Sequence, residues 1–280
     1  MVKAIDYWFN PFTKELSENN FTHPEISDLI KWWHLEKVFR PYTIDEVIGI
    51  MDEADMEKIL IPSFQQRSYQ RKDMISEASY EGVAELVATN PDRFAGLYGI
   101  NPFKKMEGVR ELERSVKEFG FKGAHLHTYG FGLAVNDRDY WPFYAKCVEL
   151  DVPVVMQIGH SAEIMPSTLA RPILIDDIAI YFPDLKLVAA HTGWPWVEEL
   201  TAMAWKHPNV YIGTTAHMPK YWDPALINFM KTRGQGKVLF GTDFPVLNPK
   251  MCIDQVKKME LGEKIEASLL RDVAVKIFKL

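Results

Sequence analysis

Eight short β-branched or apolar runs recur along the chain, each followed by a loop and most of them then by an amphipathic helical pattern. They cover residues 2–6, 58–61, 94–100, 121–127, 152–158, 185–190, 210–213 and 238–241. Helical spacing lies between them, as in Ile44-Val47-Ile48-Met51 and Val109-Leu112-Val116-Phe119. Strands joined through crossover helices pair in parallel. Eight such units, without a break in composition, predict an α/β protein: a (β/α)8 TIM barrel forming one domain over residues 1–280. A doubly wound open sheet is the rival, but no GxGxxG follows the first run.

The composition permits a large core, with 47% hydrophobic residues. A net charge of −6 argues against nucleic acid and against a membrane surface as partner. No apolar run approaches the roughly 20 residues of a spanning helix. The start, MVKAIDYWF, lacks the pattern of a secretory leader, so a cytoplasmic protein is expected. Cys147 and Cys252 have no CxxC partner and read as buried thiols.

Residues 8–41 separate the first strand from the first helix, more than an ordinary βα loop needs. They carry Trp8, Phe9, Phe12, Phe21, Trp32, Trp33 and Phe39. This aromatic-rich insertion is expected at the active face, as a lid, a satellite core over the barrel mouth or a partner surface; the last makes a homodimer plausible.

Two motifs end apolar runs: His191-Thr192-Gly193-Trp194-Pro195-Trp196 and Gly241-Thr242-Asp243-Phe244-Pro245. The carboxyl ends of barrel strands gather at one site, so an imidazole and a carboxylate should share its rim. His125 and His127, two apart on the fourth run, share a face. Trp8, Tyr129, Trp194 and Trp196 are candidates to stack on an aromatic ring, and Thr214, Thr215 and His217 end the seventh run. Arg171 has the planar fork for a substrate carboxylate, or forms an ion pair at a helix entry. The basic stretch 65–72 is either a phosphate contact for a carrier such as coenzyme A or a solvated charge run.

The order Ile5-Asp6, Gly120-Phe121-Lys122-Gly123, His191-Thr192-Gly193, Gly241-Thr242-Asp243 and the terminal stretch 270–278 resembles the amidohydrolase-related barrels. Their branch contains amino-carboxymuconate-semialdehyde decarboxylase and γ-resorcylate decarboxylase. Gln157-Ile158-Gly159-His160, Arg171-Pro172-Ile173 and His191-x-Gly193-x-Pro195-Trp196 resemble more closely a subgroup of 4-hydroxyphenyl-β-ketoacyl-CoA hydrolases. The resemblance implies a divalent metal held by His-x-His after the first strand and by a histidine on the fifth. Those positions here are Trp8, Asn10 and Gln157; indole cannot ligate, and a neutral amide is a poor zinc ligand.

The preferred reading is therefore a site without a cofactor. Asp243 would be the general base that activates water, with His191 and His160 donating to a developing oxyanion or protonating the leaving carbon. The alternative is a rebuilt zinc or manganese site using His160, His191 and Asp243, with His125 or His127. Substrate contacts are assigned to His125, His127, Trp8, Asn10, Gln157, Arg171 and Trp194. The leading function is a hydrolase of a C–C, ester or thioester bond in a small carboxylate or acyl substrate. A non-oxidative decarboxylase of an aromatic or unsaturated acid, and a non-catalytic ligand-binding barrel, are the alternatives.

Overall fold

The computed structural model describes residues 2–280. Its strands are β1 (Ala4–Asp6), β2 (Met56–Pro62), β3 (Phe64–Arg67), β4 (Met74–Ala78), β5 (Phe94–Gly99), β6 (Ala124–Leu126), β7 (Val154–Met156), β8 (Leu187–Ala189), β9 (Val210–Gly213) and β10 (Val238–Leu239). Eight of them form one sheet in the order β1-β2-β5-β6-β7-β8-β9-β10, with every pairing parallel. The outermost strands meet through backbone bonds from Tyr7 N to Phe240 O (3.2 Å), Asp243 N to Trp8 O (3.0 Å) and Asn10 N to Phe244 O (3.1 Å). All eight expected runs supply barrel strands, mostly trimmed. The final residues of several runs leave the ladder, and some of them, such as Gln157, form the rim.

Period-two alternation builds two cores. Ile59, Ile61, Val154, Met156, Leu187 and Ala189 face the surrounding helices. Ile5, Tyr7, Leu60, Val155, Val188 and Leu239 face the barrel axis, where the C-terminal helix Val273–Phe278 joins them. Helix boundaries follow local chemistry. Thr43 and Glu46 form a reciprocal capping box on the helix Ile44–Glu53, and Gly120, at φ 69°, ends the long helix Lys105–Phe119.

Two features depart from the expected repeat. The stretch read as a basic loop is an antiparallel hairpin, β3 against β4, with Gln66 opposite Ser76. Its polar Gln-Gln-Arg run carries no β-branched signature; pairing with β4 overrides weak propensity. Between β1 and the helix Ile44–Glu53 lie two further helices, Lys14–Thr22 and Pro24–Trp32. Both cysteines are buried thiols. Among the described residues no helix is long and apolar enough to cross a membrane.

Candidate active site

A cavity of about 330 Å³ opens at the carboxyl ends of the strands. Trp8 and Asn10 follow β1, Phe64 and Gln66 lie on β3, Gln157 and His160 follow β7, His191 follows β8, His217 follows β9, and Asp243 follows β10. Phe21, Ile26, Trp33, Leu35 and Phe39, from the segment between β1 and the helix Ile44–Glu53, complete the lining. Asp243 and His191 therefore share one opening, from strands that are distant in sequence.

Asp243 is held by a relay of amide contacts. The Trp8 indole N–H donates to Asn10 Oδ1 (3.0 Å), which turns the Asn10 NH₂ outward to donate to Asp243 Oδ1 (2.7 Å) and to the Phe244 carbonyl (3.0 Å). Low-polarity surroundings push the Asp243 carboxyl well above its ordinary range; the Asn10 bond opposes this, and the negative charges of Glu163 and Asp6 add to it. A general base must be ionised, so the upward shift counts against the expected base role for Asp243 and favours that of an acid.

His191 accepts or donates at Nδ1 to Thr215 Oγ1 (2.9 Å), and its backbone N–H donates to the same oxygen (3.1 Å). Burial pushes its pKa down to about 3, with His217 nearby as a lesser cause, so the ring is neutral. Burial likewise takes His217 down to about 4. The backbone is left-handed at His191 (φ 59°), Thr192 (φ 55°) and Asp243 (φ 60°), a region that non-glycine residues adopt at a cost of order 1–2 kcal/mol each.

The other expected residues divide. His160 lines the cavity, with Nδ1 2.8 Å from the Ser161 carbonyl; a carbonyl only accepts, so Nδ1 carries the proton. Trp8, Asn10 and Gln157 also line it. His125 and His127 do not. They are buried behind the wall, His125 edge-on to the Trp8 ring at 4.2 Å and His127 near Tyr129 and Phe64. Both are absent from the lining and pack against residues that belong to it, Trp8, Phe64 and Tyr129, which counts against the expected substrate contact. Arg171 is corrected too: it is half-exposed and bound to Glu199 at 3.1 Å, the helix-entry ion pair. Trp194 is 47% exposed and touches the His160 ring (4.7 Å) from outside the lining. Within the basic stretch, Arg71 is engaged by Glu25 at 3.2 Å, which favours the solvated charge run over a phosphate contact at that residue.

Glu163 and Gln66 were not anticipated. Gln66 Nε2 and Ser161 Oγ donate to the two oxygens of Glu163, at 2.8 and 2.7 Å. Burial raises the Glu163 pKa, but the contact with His127 and the Ser161 bond outweigh it and take it to about 2. An acid three residues beyond His160 in a strand-end loop was the available signal.

Asp6 lies beneath the rim. It is fully buried and accepts from the N–H groups of Trp8 and Thr242, each at 3.0 Å, and from the Thr242 hydroxyl. Burial outweighs these bonds and raises its pKa to about 7. A raised carboxyl stabilises the fold fully below its unfolded value near 4, and that contribution is lost as pH rises through about 7. Over that interval the melting temperature of the wild type should fall relative to Asp6→Asn. Parallel pH–stability curves for the two proteins would show that Asp6 is ionised throughout.

A family model described as amidohydrolase matches residues 5–280. The chain belongs to the amidohydrolase family. Among relatives of this amidohydrolase-family chain, γ-resorcylate decarboxylase of Polaromonas sp. strain JS666 is 25% identical, over 84% of this chain and 87% of that protein. A TIM-barrel protein of Bordetella bronchiseptica superposes with a TM-score of 0.77 at 21% identity, covering 99% of both chains. A dihydroxybenzoic acid decarboxylase of Polaromonas sp. JS666, with bound manganese and 2-nitroresorcinol, gives 0.70 at 22%, over 100% of this chain and 98% of that one. The expected hydrolase is overturned, since relatives found over most of the chain are decarboxylases. The closer resemblance to β-ketoacyl-CoA hydrolases finds no support among them.

Manganese in that neighbour makes a divalent metal plausible for a protein of this fold, and the expected absence of one draws no support from it. The donors of this chain decide the fit. Among the described residues no three His, Cys, Asp or Glu side chains form a metal-binding group. The Trp8 ring lies 4.2 Å from that of His125 and 4.9 Å from that of His191. The Asp243 oxygen receives an amide N–H, a positive dipole end in the position a cation would take. These residues do not fit a resident divalent ion.

Proposed function

We propose that this chain is a non-oxidative decarboxylase of a small aromatic or unsaturated carboxylic acid. The observation that carries the reading is a buried carboxyl, Asp243, its pKa raised by burial, facing an aromatic-lined cavity beside a neutral imidazole. Loss of CO₂ from such an acid requires a proton on the carbon that carries the carboxylate. Asp243 supplies it, and Asn10 steadies the carboxylate left behind. The C–C bond then breaks, its electron pair returns to the unsaturated system and CO₂ departs; Asp243 regains a proton from water. Trp8, Phe64 and Tyr129 hold the ring, and Gln157 and His191 bind the carboxylate. Moving a carboxylate out of water into apolar surroundings favours conversion to neutral CO₂. The aromatic segment 8–41 acts as the roof that excludes water. The decarboxylase relatives support the reaction class.

The test is a panel of hydroxybenzoic and conjugated carboxylic acids in D₂O. Release of CO₂ with one deuterium at the vacated carbon is expected for at least one acid. Absence of CO₂ from the whole panel, with the protein folded, would reject the assignment.

A further inference from the structure

We infer that Tyr7 and Thr215 fix the tautomer of His191, so that its Nε2–H is presented to the cavity as a neutral hydrogen-bond donor. The argument is a count of protons. Tyr7 is fully buried, and its hydroxyl lies 2.8 Å from Thr215 Oγ1. Thr215 is buried as well, and its one hydroxyl meets three groups: the Tyr7 hydroxyl, the His191 backbone N–H (3.1 Å) and His191 Nδ1 (2.9 Å). A hydroxyl has one proton and two lone pairs. The backbone N–H fills one lone pair. If Thr215 sent its proton to Tyr7, the phenol proton would be buried without an acceptor, which costs the full desolvation of that group. Tyr7 therefore donates to Thr215, which fills the second lone pair, and Thr215 donates to Nδ1. Nδ1 is an acceptor, and the ring proton sits on Nε2.

The barrel makes room for this chain. A Cβ at Gly213 would stand 2.0 Å from the Tyr7 hydroxyl, and one at Gly241 would meet Tyr7 at 2.6 Å and Thr215 at 2.7 Å. Two strand-end glycines are thus required by the positions of Tyr7 and Thr215. His160 has the opposite tautomer, with its proton on Nδ1 toward Ser161. The two cavity imidazoles so offer complementary chemistry, a donor at His191 and an acceptor at His160. Tyr7 and Thr215 are positioning residues that act through His191. The ligand class that follows carries an anionic acceptor, a carboxylate oxygen, against His191; that step rests on the decarboxylase reading, whereas the tautomer does not.

Two-dimensional ¹⁵N–¹H long-range NMR on the full chain, with ¹⁵N-labelled histidine, reads the tautomer directly. His191 is expected as the Nε2–H form in the wild type. Thr215→Val should shift it to the Nδ1–H form or a mixture, Tyr7→Phe to a mixture, and Thr215→Ser should keep it. A wild-type Nδ1–H signature overturns the inference, and so does an Nε2–H signature unchanged in both Thr215→Val and Tyr7→Phe. If Thr215→Val does not fold, the wild-type and Tyr7→Phe spectra still decide. Titration with salicylate separates the two readings. A shift of the His191 Nε2–H signal supports both, whereas no shift with the tautomer as assigned leaves this inference standing and counts against a carboxylate at that ring.

Discussion

Asp243→Asn should lower turnover by roughly a thousandfold, within the range for loss of a positioned general acid. The amide keeps an oxygen for the Asn10 NH₂ and removes an ionisable group from apolar surroundings. Its melting temperature should therefore stay within a few degrees of wild type or rise. The wild-type pH profile follows from the direction of the shift. Activity needs the protonated acid, so it is present below the raised pKa of Asp243 and declines as pH passes through it. A variant with wild-type turnover, or a wild type whose activity rises along that alkaline limb, would remove Asp243 as the proton donor.

Trp8→His combined with Asn10→His should create manganese binding where the parent has none. The exchange replaces an indole and an amide donor with two imidazoles beside Asp243 and His191. The expected result by calorimetry is a dissociation constant at or below the micromolar range for the variant, against no saturation at millimolar manganese for the parent, a change of about a thousandfold or more. Stoichiometric manganese bound tightly by the parent would show that its donors rearrange around an ion, and the poor fit argued from Trp8 and Asn10 would be wrong.

What could be read from the sequence divides along physical lines. The strand-end motifs at His191 and Asp243 were legible because apolar runs flank them and parallel sheets collect such ends. Arg171 misled because a guanidinium suits any carboxylate, and Glu199, its partner here, lies beyond β8 in the helix Val197–Lys206, invisible to local pattern. The spacing of His125 and His127 puts them on a common face, but no local pattern shows that Trp8 and Phe64 pack against them. The β3–β4 hairpin escaped notice because Gln65 and Gln66 lack strand-forming side chains. Nor does the chemistry of Asp243 follow from its identity. Whether a carboxyl is acid or base is set by surroundings assembled from distant segments.

The seam that joins the first strand to the last also carries Asp243. Asn10 bonds both Asp243 and Phe244, while backbone bonds from Asn10 and Asp243 stitch the same junction. These are among the longest loops any contact in the polypeptide closes, and such closures carry the greatest entropic cost and slow folding. A chain lacking either end could hold most of its strand pairings yet not the contact between Asn10 and Asp243. The setting of that carboxyl is thereby tied to completion of the ring.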